Sequence, residues 1–333
     1  MLHGWNRSQF CDYTQKAVLR ALIMSVTSRA KSFLYPVPPE LLTKQRSGDS
    51  ETVSRSVQEH YHRGWRSKEN QAEGAYERDL ADHVYGRLAH DRAVIVPWLN
   101  SIRPLHGARI LEIGCGTGSS SVALAEQGAE LTGIDIDDDA LIVARDRCRT
   151  HGVNCEFQSV NAVHYQLEED FDFVIFFASL EHMTISERLT ALEHIWSRMK
   201  PGSFLVIIET PNRLWYMDRH TSLLPFFDWL PDELAFRYSG KSRRLSEYKD
   251  LHELNDANLE HFRRLGRGVS FHEFELACGD PRKLNVVSSL ITAMRFQVIG
   301  RPKDWIYKSL LRRIYPGLHP GWFDGNLDIV IQR

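Results

Sequence analysis

The sequence predicts an α/β fold with a doubly wound, mostly parallel sheet, and three observations predict it. Short apolar segments of strand length alternate with amphipathic helical segments from Ala108 to Ile208, the pattern of parallel strands joined by right-handed crossovers. The run Phe171 to Phe177 reads as a central strand covered on both faces. The third is the stretch Ile110-Leu-Glu-Ile-Gly-Cys-Gly-Thr-Gly118, followed by Asp135. It reads as a buried strand, a glycine-rich turn, a helix and a second strand ending in an acid.

Composition sets the outer limits. With 333 residues, 43% hydrophobic and 25% charged, the chain can bury a sizeable core, and one main domain with elaborations is expected. A formal net charge of -2 and a pI near 6.7 give no global basic field of the kind that gathers nucleic acid. Cys11, Cys115, Cys148, Cys155 and Cys278 form no C-x-x-C pair. Their odd number suits reduced thiols and a cytoplasmic location. No apolar run approaches the roughly 20 residues that span a bilayer, and Arg20 interrupts the most apolar N-terminal stretch, Ala17 to Val26, so no leader peptide is expected.

Residues 1–100 read as a helical N-terminal extension with a polar break at Lys44 to Thr52. Its first piece, about Phe10 to Phe33, spaces Val18, Leu19, Leu22, Ile23 and Val26 as a helix face among basic residues. Such a helix packs on the core or touches a membrane or partner. Its second piece carries Tyr61, Trp65, Tyr76 and Tyr85 and runs by a helix, Asp79 to Trp98, into the core. Tyr61 and Trp65 form one packed face or flank a ligand pocket.

Residues 101–210 hold the regular core. Strands are expected at Arg109–Ile113, Glu130–Ile134, Cys155–Gln158, Phe171–Phe177 and Phe204–Ile208, and helices at Ser119–Gln127 and Ser186–Met199. Gly128 stops the first of these helices. Asp137, Asp138 and Asp139 open another with negative charge, and Gly152 closes it. Residues 211–268, rich in aromatics and then in charge, read as a lid inserted over the carboxyl edge of the sheet. Residues 269–333 resume the core with a helix about Pro281 to Met294, a strand Phe296 to Ile299, a basic insertion at 301–326 and a closing strand Leu327 to Gln332.

In such open sheets, ligands lie beyond the carboxyl ends of the strands. Gly114, Gly116 and Gly118 let the backbone turn tightly there, and Asp135 is placed to accept ribose hydroxyl protons. A dinucleotide turn would carry its third glycine at position 119, where Ser119 stands, and the G-x-x-x-x-G-K-[ST] phosphate loop is absent. Both NAD and ATP are therefore disfavoured.

Glu112-Ile-Gly-Cys-Gly-Thr-Gly118 resembles the first motif of class I S-adenosylmethionine-dependent methyltransferases. Phe171-Asp-Phe-Val-Ile-Phe-Phe177 with Leu180-Glu181-His182 resembles the fourth strand and loop of the subgroup that includes ubiquinone-type O-methyltransferases. Met199-Lys-Pro-Gly-Ser203 is similar to the turn before their fifth strand. The likeness covers about Ala108 to Ile208 and resumes weakly from Pro281. It implies a Rossmann-like, seven-stranded sheet with an antiparallel last strand, and S-adenosyl-L-methionine as cofactor.

By position, the resemblance gives Glu112 the role of orienting the glycine loop or the methionine amino group. The backbone of Gly114, Cys115, Gly116, Thr117 and Gly118 would contact the methionine moiety. Asp135 would bind the ribose and Ile136 would pack on adenine. Asn161 and Ala162 stand where the family often has Asp and a small residue near the adenine amino group, and Asn keeps an acceptor while losing the charge. Ala178, at the end of the fourth strand, completes this cofactor set. The downstream block Thr210 to Pro231 is similar to methyltransferases of polysaccharide and secondary-metabolite pathways.

Methyl transfer to a hydroxyl calls for a general base, and histidine suits neutral pH. His220, among the aromatics after the fifth strand, is the first candidate, and His182 beside Glu181 is the second. The alternatives are a loop cap for His220 and a backbone bond for His182; His272 is expected to be structural. Glu181 and His182 with a remote carboxylate such as Asp218 form an alternative set of divalent-metal ligands, but adjacent residues seldom make a site alone, so no metal is expected.

Arg237, Lys241, Arg243, Arg244, Arg263, Arg264 and Arg267, then Arg301 to Arg313, crowd the insertions. They form solvated faces or meet a phosphorylated, nucleotide-linked or lipid-linked acceptor, or a membrane surface. The expected partner is a small-molecule, glycan or phosphorylated acceptor, with no nucleic acid and with peripheral membrane contact as a second possibility. The alternatives to O-methylation are N-methylation and a non-catalytic binding module.

Overall fold

Alternating apolar residues in the core strands send side chains to both faces of one sheet. Ile110, Phe173, Ile175, Val206 and Ile208 pack on one side, and Leu111, Ile113, Val174, Phe176, Leu205 and Ile207 on the other. The computed structural model describes residues 50–70, 74–168, 170–245, 251–293 and 302–333. The N-terminal helix expected at Phe10 to Phe33, the Trp65 side chain and the strand expected at Phe296 to Ile299 lie outside the described residues.

Among these residues the strands are β1 (Arg109–Ile113), β2 (Glu130–Asp135), β3 (Glu156–Ser159), β4 (Phe173–Phe177), β5 (Phe204–Pro211), β6 (Asn285–Ser289) and β7 (Asn326–Gln332). They form a seven-stranded sheet in the order β3-β2-β1-β4-β5-β7-β6. The first five are parallel, and β7 lies antiparallel to both β5 and β6. This is the Rossmann-like, doubly wound arrangement with an antiparallel last strand.

The register levels the carboxyl ends. Ile113 lies beside both Ile134 and Phe176, and Phe177 lies beside Ile208. The glycine turn after β1, Asp135 at the end of β2, Ala178 after β4 and the end of β5 therefore open on one edge. The order reverses on either side of β1, which makes this edge the crevice of a doubly wound sheet.

Local chemistry explains most helix ends. Asp137 caps the Asp138–His151 helix through Ala140 N, and Gly152 ends it at φ 65°. Thr184 and Glu187 form a capping box on the Ile185–Arg198 helix. Residues Ala75 to Ile102 are helical in consecutive segments that include two π turns, Asp82–Gly86 and Asp91–Ile95. The segment after β5 buries a small cluster of its own, with Phe227, Phe236, Leu245, Leu259 and Phe262.

The carboxyl-terminal region departs from expectation. The late helix is Phe271–Cys278, opened by a Ser270/Glu273 capping box, and of the helix expected from Pro281 to Met294 only Leu290–Ala293 is helical among the described residues. Pro281 begins a turn instead, and 285–289 is strand β6. Its Val286-Val287 pair and two serines tolerate helix or strand, and pairing with β7 decides between them. The insertion at 301–326 contains a helix, Pro302–Ile314, and then Trp322 and Phe323, both fully buried beside the sheet. Part of it is core rather than decoration.

Candidate active site

The glycine turn folds because its donors face inward. Gly114 N and Cys115 N both donate to Ile134 O, and Gly116 N donates to Asp135 Oδ2 at 2.8 Å. Gly114 sits at φ 81°, and a Cβ there would lie 2.5 Å from Ser179 Cβ, so only glycine lets the β1 and β4 loops meet. Glu112 is fully buried and accepts from the Ser120 and Ser121 hydroxyls, the latter at 2.5 Å. Burial pushes its carboxyl up to about 7, against those two hydrogen bonds. Glu112 thus ties the strand to the helix that follows the turn.

Asp135 also accepts from Asp137 N at 2.9 Å. Each of its oxygens keeps a lone pair for a ligand. Ile136 beside it is 68% exposed, and a Cβ on Gly116 would meet nothing within 4 Å. An acid with spare acceptors, an uncovered apolar side chain and open space above the turn fit the ribose and adenine of a nucleoside. Asn161 bonds Val163 N through its side-chain oxygen, and Ala162 is buried. Cys115 is buried, and burial pushes its thiol well above the usual range, so it packs rather than reacts.

The N-terminal segment reaches this turn. His83 Nδ1 lies 3.2 Å from Thr117 Oγ1, and Arg66 bonds Asp137 at 2.9 Å with its guanidinium 4.0 Å over the Tyr61 ring. Tyr61 packs with Leu80 against Val53, Val57, Val84 and Val143, as a packed face does. Buried Arg147 fastens the same region, donating to Thr117 O, His83 O and Val84 O.

At the end of β4, backbone strain marks a second focus. Ala178 at φ 43° and Glu209 at φ 57° are left-handed without being glycine. Between them and the lid stand Glu181, His182 and His220, which the structure brings together: one ligand atom of each lies within 4.8 Å of the others. Glu181 is fully buried; Thr210 Oγ1 bonds its Oε2 at 3.3 Å, and its Oε1 has no hydrogen-bond partner. Burial pushes this carboxyl up. His220 Nε2 is 3.9 Å from Glu181 Oε1, and burial, with His182 and Arg244 nearby, lowers its imidazole to about 4.

Asp218 is not part of the group. It accepts from the backbone of His220 and Thr221 and from Ser222, so it shapes the loop that delivers His220. His182 does bond the backbone, through Nδ1 to Arg264 O at 2.9 Å, but its ring still faces His220 with centroids 5.2 Å apart. His272 stays at the start of its helix, bonded to Ser270. The arginines of the lid are largely tied up: Arg263 pairs with Asp232, Arg264 with Glu187 and Glu260, Arg267 donates to Phe227 O and Leu230 O, and Arg244 donates to His220 O.

Sequence reasoning missed what holds this group in place. Arg188, 1% exposed, donates to Leu180 O, Met183 O, Glu181 O, Arg267 O and Gly268 O. It joins the β4 turn to the lid's return. Gly266, at φ 116°, is the floor under His220: a Cβ there would lie 2.5 Å from His220 Nδ1 and 2.8 Å from Thr221 Oγ1. Gly266→Ala is expected to cost about 1–3 kcal/mol through left-handed strain and overpacking. Urea unfolding reads the loss and NMR reads the displaced His220 ring; an unchanged midpoint and His220 signal would contradict the contact.

The sequence signature of a methyltransferase domain matches residues 110–202. A ubiquinone biosynthesis O-methyltransferase of Pseudomonas fluorescens (strain Pf0-1) is 33% identical over 120 residues, 35% of this chain and 50% of that protein. The protein of the same name from Aeromonas salmonicida (strain A449) is 37% identical over 111 residues, 33% of this chain and 45% of that one. A solved S-adenosylmethionine-dependent methyltransferase from Methanosarcina mazei is 32% identical, with 32% of this chain and 54% of that chain covered and a TM-score of 0.30. The chain spans about half the length of the curated relatives it matches. Residues 110–202, which hold the glycine turn, the acid ending β2 and the Glu181-His182 turn, are a methyltransferase domain.

Proposed function

We propose that this protein transfers a methyl group from S-adenosyl-L-methionine to a hydroxyl of a small molecule, glycan or lipid-linked saccharide. The observation that carries this reading is the adjacency of two half-sites on one sheet edge: the nucleoside-fitting turn with Asp135, and the lone pairs of Glu181, His182 and His220 beyond β4. When bound, S-adenosylmethionine supplies an electrophilic methyl on a sulfonium centre. Asp135 would hold the ribose and Ile136 would cover adenine, with Asn161 and Ala162 at its far side and Ala178 under the reacting end. The proton leaving the acceptor is drawn off by the His220 group, whose imidazole burial keeps neutral, with its lone pair free, while lowering its basicity.

The lid's exposed aromatics, Phe226 and Trp229 at 49% and 46% exposure, offer flat apolar surface to a ring-bearing acceptor. The tied-up arginines weaken the case for a phosphorylated one. No described helix is long and apolar enough to cross a membrane.

Calorimetry with S-adenosylmethionine, NAD and ATP tests the cofactor; NAD binding with none of the methyl donor would sink the reading. On a hydroxyl acceptor, His220→Ala is expected to lower kcat by roughly 10²- to 10⁴-fold while leaving cofactor affinity unchanged. Intact turnover in that variant would favour N-methylation, which needs less help from a base.

A further inference from the structure

The hydrogen bonds around Glu181, His182 and His220 assign protons in a way that leaves the group incomplete. A carbonyl only accepts, so His182 Nδ1 must carry the proton it shares with Arg264 O at 2.9 Å. In the neutral ring that leaves Nε2 as a bare lone pair. Thr221 Oγ1 faces two carbonyls, Gly266 O at 2.7 Å and Leu265 O at 3.1 Å. Its one proton is committed there, so His220 Nδ1, 3.0 Å away, must donate to it. His220 Nε2 is therefore bare as well. The third member, Glu181 Oε1, is fully buried and has no partner. Three acceptors converge with no donor among them, two of them set in orientation by second bonds to protein, as metal-ligating imidazoles are.

An unpartnered buried carboxylate oxygen facing two lone pairs is electrostatically costly unless a cation joins them. The spacing suits one. His220 Nε2 and Glu181 Oε1 are 3.9 Å apart, too far for a hydrogen bond. A cation with bonds of about 2.0–2.2 Å to each fits between them at a wide angle. We infer that Glu181, His182 and His220 bind one divalent transition-metal cation of the Zn²⁺ type. Two imidazoles and one carboxylate favour such an ion over Mg²⁺ or Ca²⁺, which take oxygen ligands. Glu181 and His182 are neighbours on one turn, and the remote third ligand that such a pair needs is His220 from the lid, not Asp218.

This inference rests on the methyl-transfer reading and changes one role in it: the His220 lone pair holds the cation, and the cation, not the imidazole, frees the acceptor of its proton. Three protein ligands leave coordination positions open at the carboxyl edge of β4, where the acceptor must lie. An acceptor hydroxyl bound there would lose its proton to solvent water at neutral pH, since coordination lowers its pKa. Its oxygen then forms the O–CH₃ bond as the S–CH₃ bond breaks, and the sulfonium leaves as a neutral thioether. No electron is gained or lost overall. His220 then serves as a ligand, and the loss of turnover in His220→Ala has its cause in the lost cation.

The test uses the full chain after treatment with a chelator and dialysis, with Co²⁺ and Zn²⁺ as probes. Wild type is expected to take up one equivalent of Co²⁺ with a visible absorption band, and Zn²⁺ is expected to displace it. His182→Ala, whose side chain is exposed and whose fold is therefore safe, and Glu181→Gln should each weaken binding beyond the roughly 10- to 100-fold that losing a mere supporting contact costs. No stoichiometric uptake, uptake undiminished in His182→Ala/His220→Ala, or Mg²⁺ competing as well as Zn²⁺ would each overturn the site. Calorimetry separates this from the parent reading. S-adenosylmethionine binding and turnover by the metal-free chain would remove the metal and keep the methyl transfer; stoichiometric Co²⁺ on the three residues without S-adenosylmethionine binding would do the reverse.

Discussion

Arg188→Met is expected to lower the unfolding free energy by about 3–5 kcal/mol, the cost of breaking a buried charged network from one side. Methionine matches much of the volume, so the loss is chiefly polar. The guanidinium donates to five carbonyls from two segments, Leu180 to Met183 and Arg267 to Gly268, and lies 3.6 Å from Glu273. Without it those acceptors stay buried and mostly unpaired, each at a cost of about 1–3 kcal/mol before relaxation. Urea unfolding followed by circular dichroism measures the change, and a shift below about 1 kcal/mol, within the ordinary range of point mutants, would show that the network is dispensable. A second consequence is local. The same turn carries Glu181 and His182, so Arg188→Lys, which keeps the charge but not the fork, should retain more stability than Arg188→Met and still lose the alignment of the three-residue group.

Asp135→Ala is the largest expected effect on ligand binding. The carboxylate holds Gly116 N at 2.8 Å and Asp137 N at 2.9 Å, and in the proposed function it also accepts from the ribose. Charge-assisted hydrogen bonds contribute about 1.5–3 kcal/mol each. Losing the bonds to the ligand and slackening the turn together should raise the Kd for S-adenosylmethionine by roughly 100-fold or more, about 2.7 kcal/mol. Calorimetry reads it directly; a Kd within threefold of wild type would remove Asp135 from the cofactor site. Burial raises this carboxyl above its ordinary value, so the folded chain holds its proton to higher pH than the unfolded one. That contribution to stability is present at low pH and lost as the pH rises through the folded value.

The proposed cofactor half was legible as structure because its residues act through the local chain. Gly114 and Gly118 needed only a tight turn, Asp135 only the end of a strand, and Asp137 and Gly152 only the two ends of a helix. Each is a short-range rule, and the register of β1, β2 and β4 then placed them together. The proposed acceptor half was less legible because it is assembled across distance. His220 could be named from its setting, but its partner Glu181 is 39 residues away in sequence and its floor, Gly266, 46 residues away, and no spacing rule joins them. Arg188 and Arg147 look like surface residues on amphipathic helices, since arginine is rarely buried; only the carbonyls that meet them in the fold reveal their positions. The β6 error has a related cause. Asn285 to Ser289 has no decisive local preference, and a strand far along the chain chooses for it.

That distant strand has a bearing on how the chain reaches this shape. β7 comes last among the sheet's strands in chain order, yet it sits inside the sheet, between β5 and β6. Until residues 326–332 arrive, β5 presents the apolar run Phe204 to Ile208 as an open edge, the kind of surface that recruits wrong partners. The Trp98 to Ser288 hydrogen bond, which spans 190 residues, anchors the N-terminal helical run to β6 beside this same closure. During synthesis, the half of the sheet that holds the nucleoside turn can form early, while the half that carries the lid stays unsealed until the ribosome has passed Gln332.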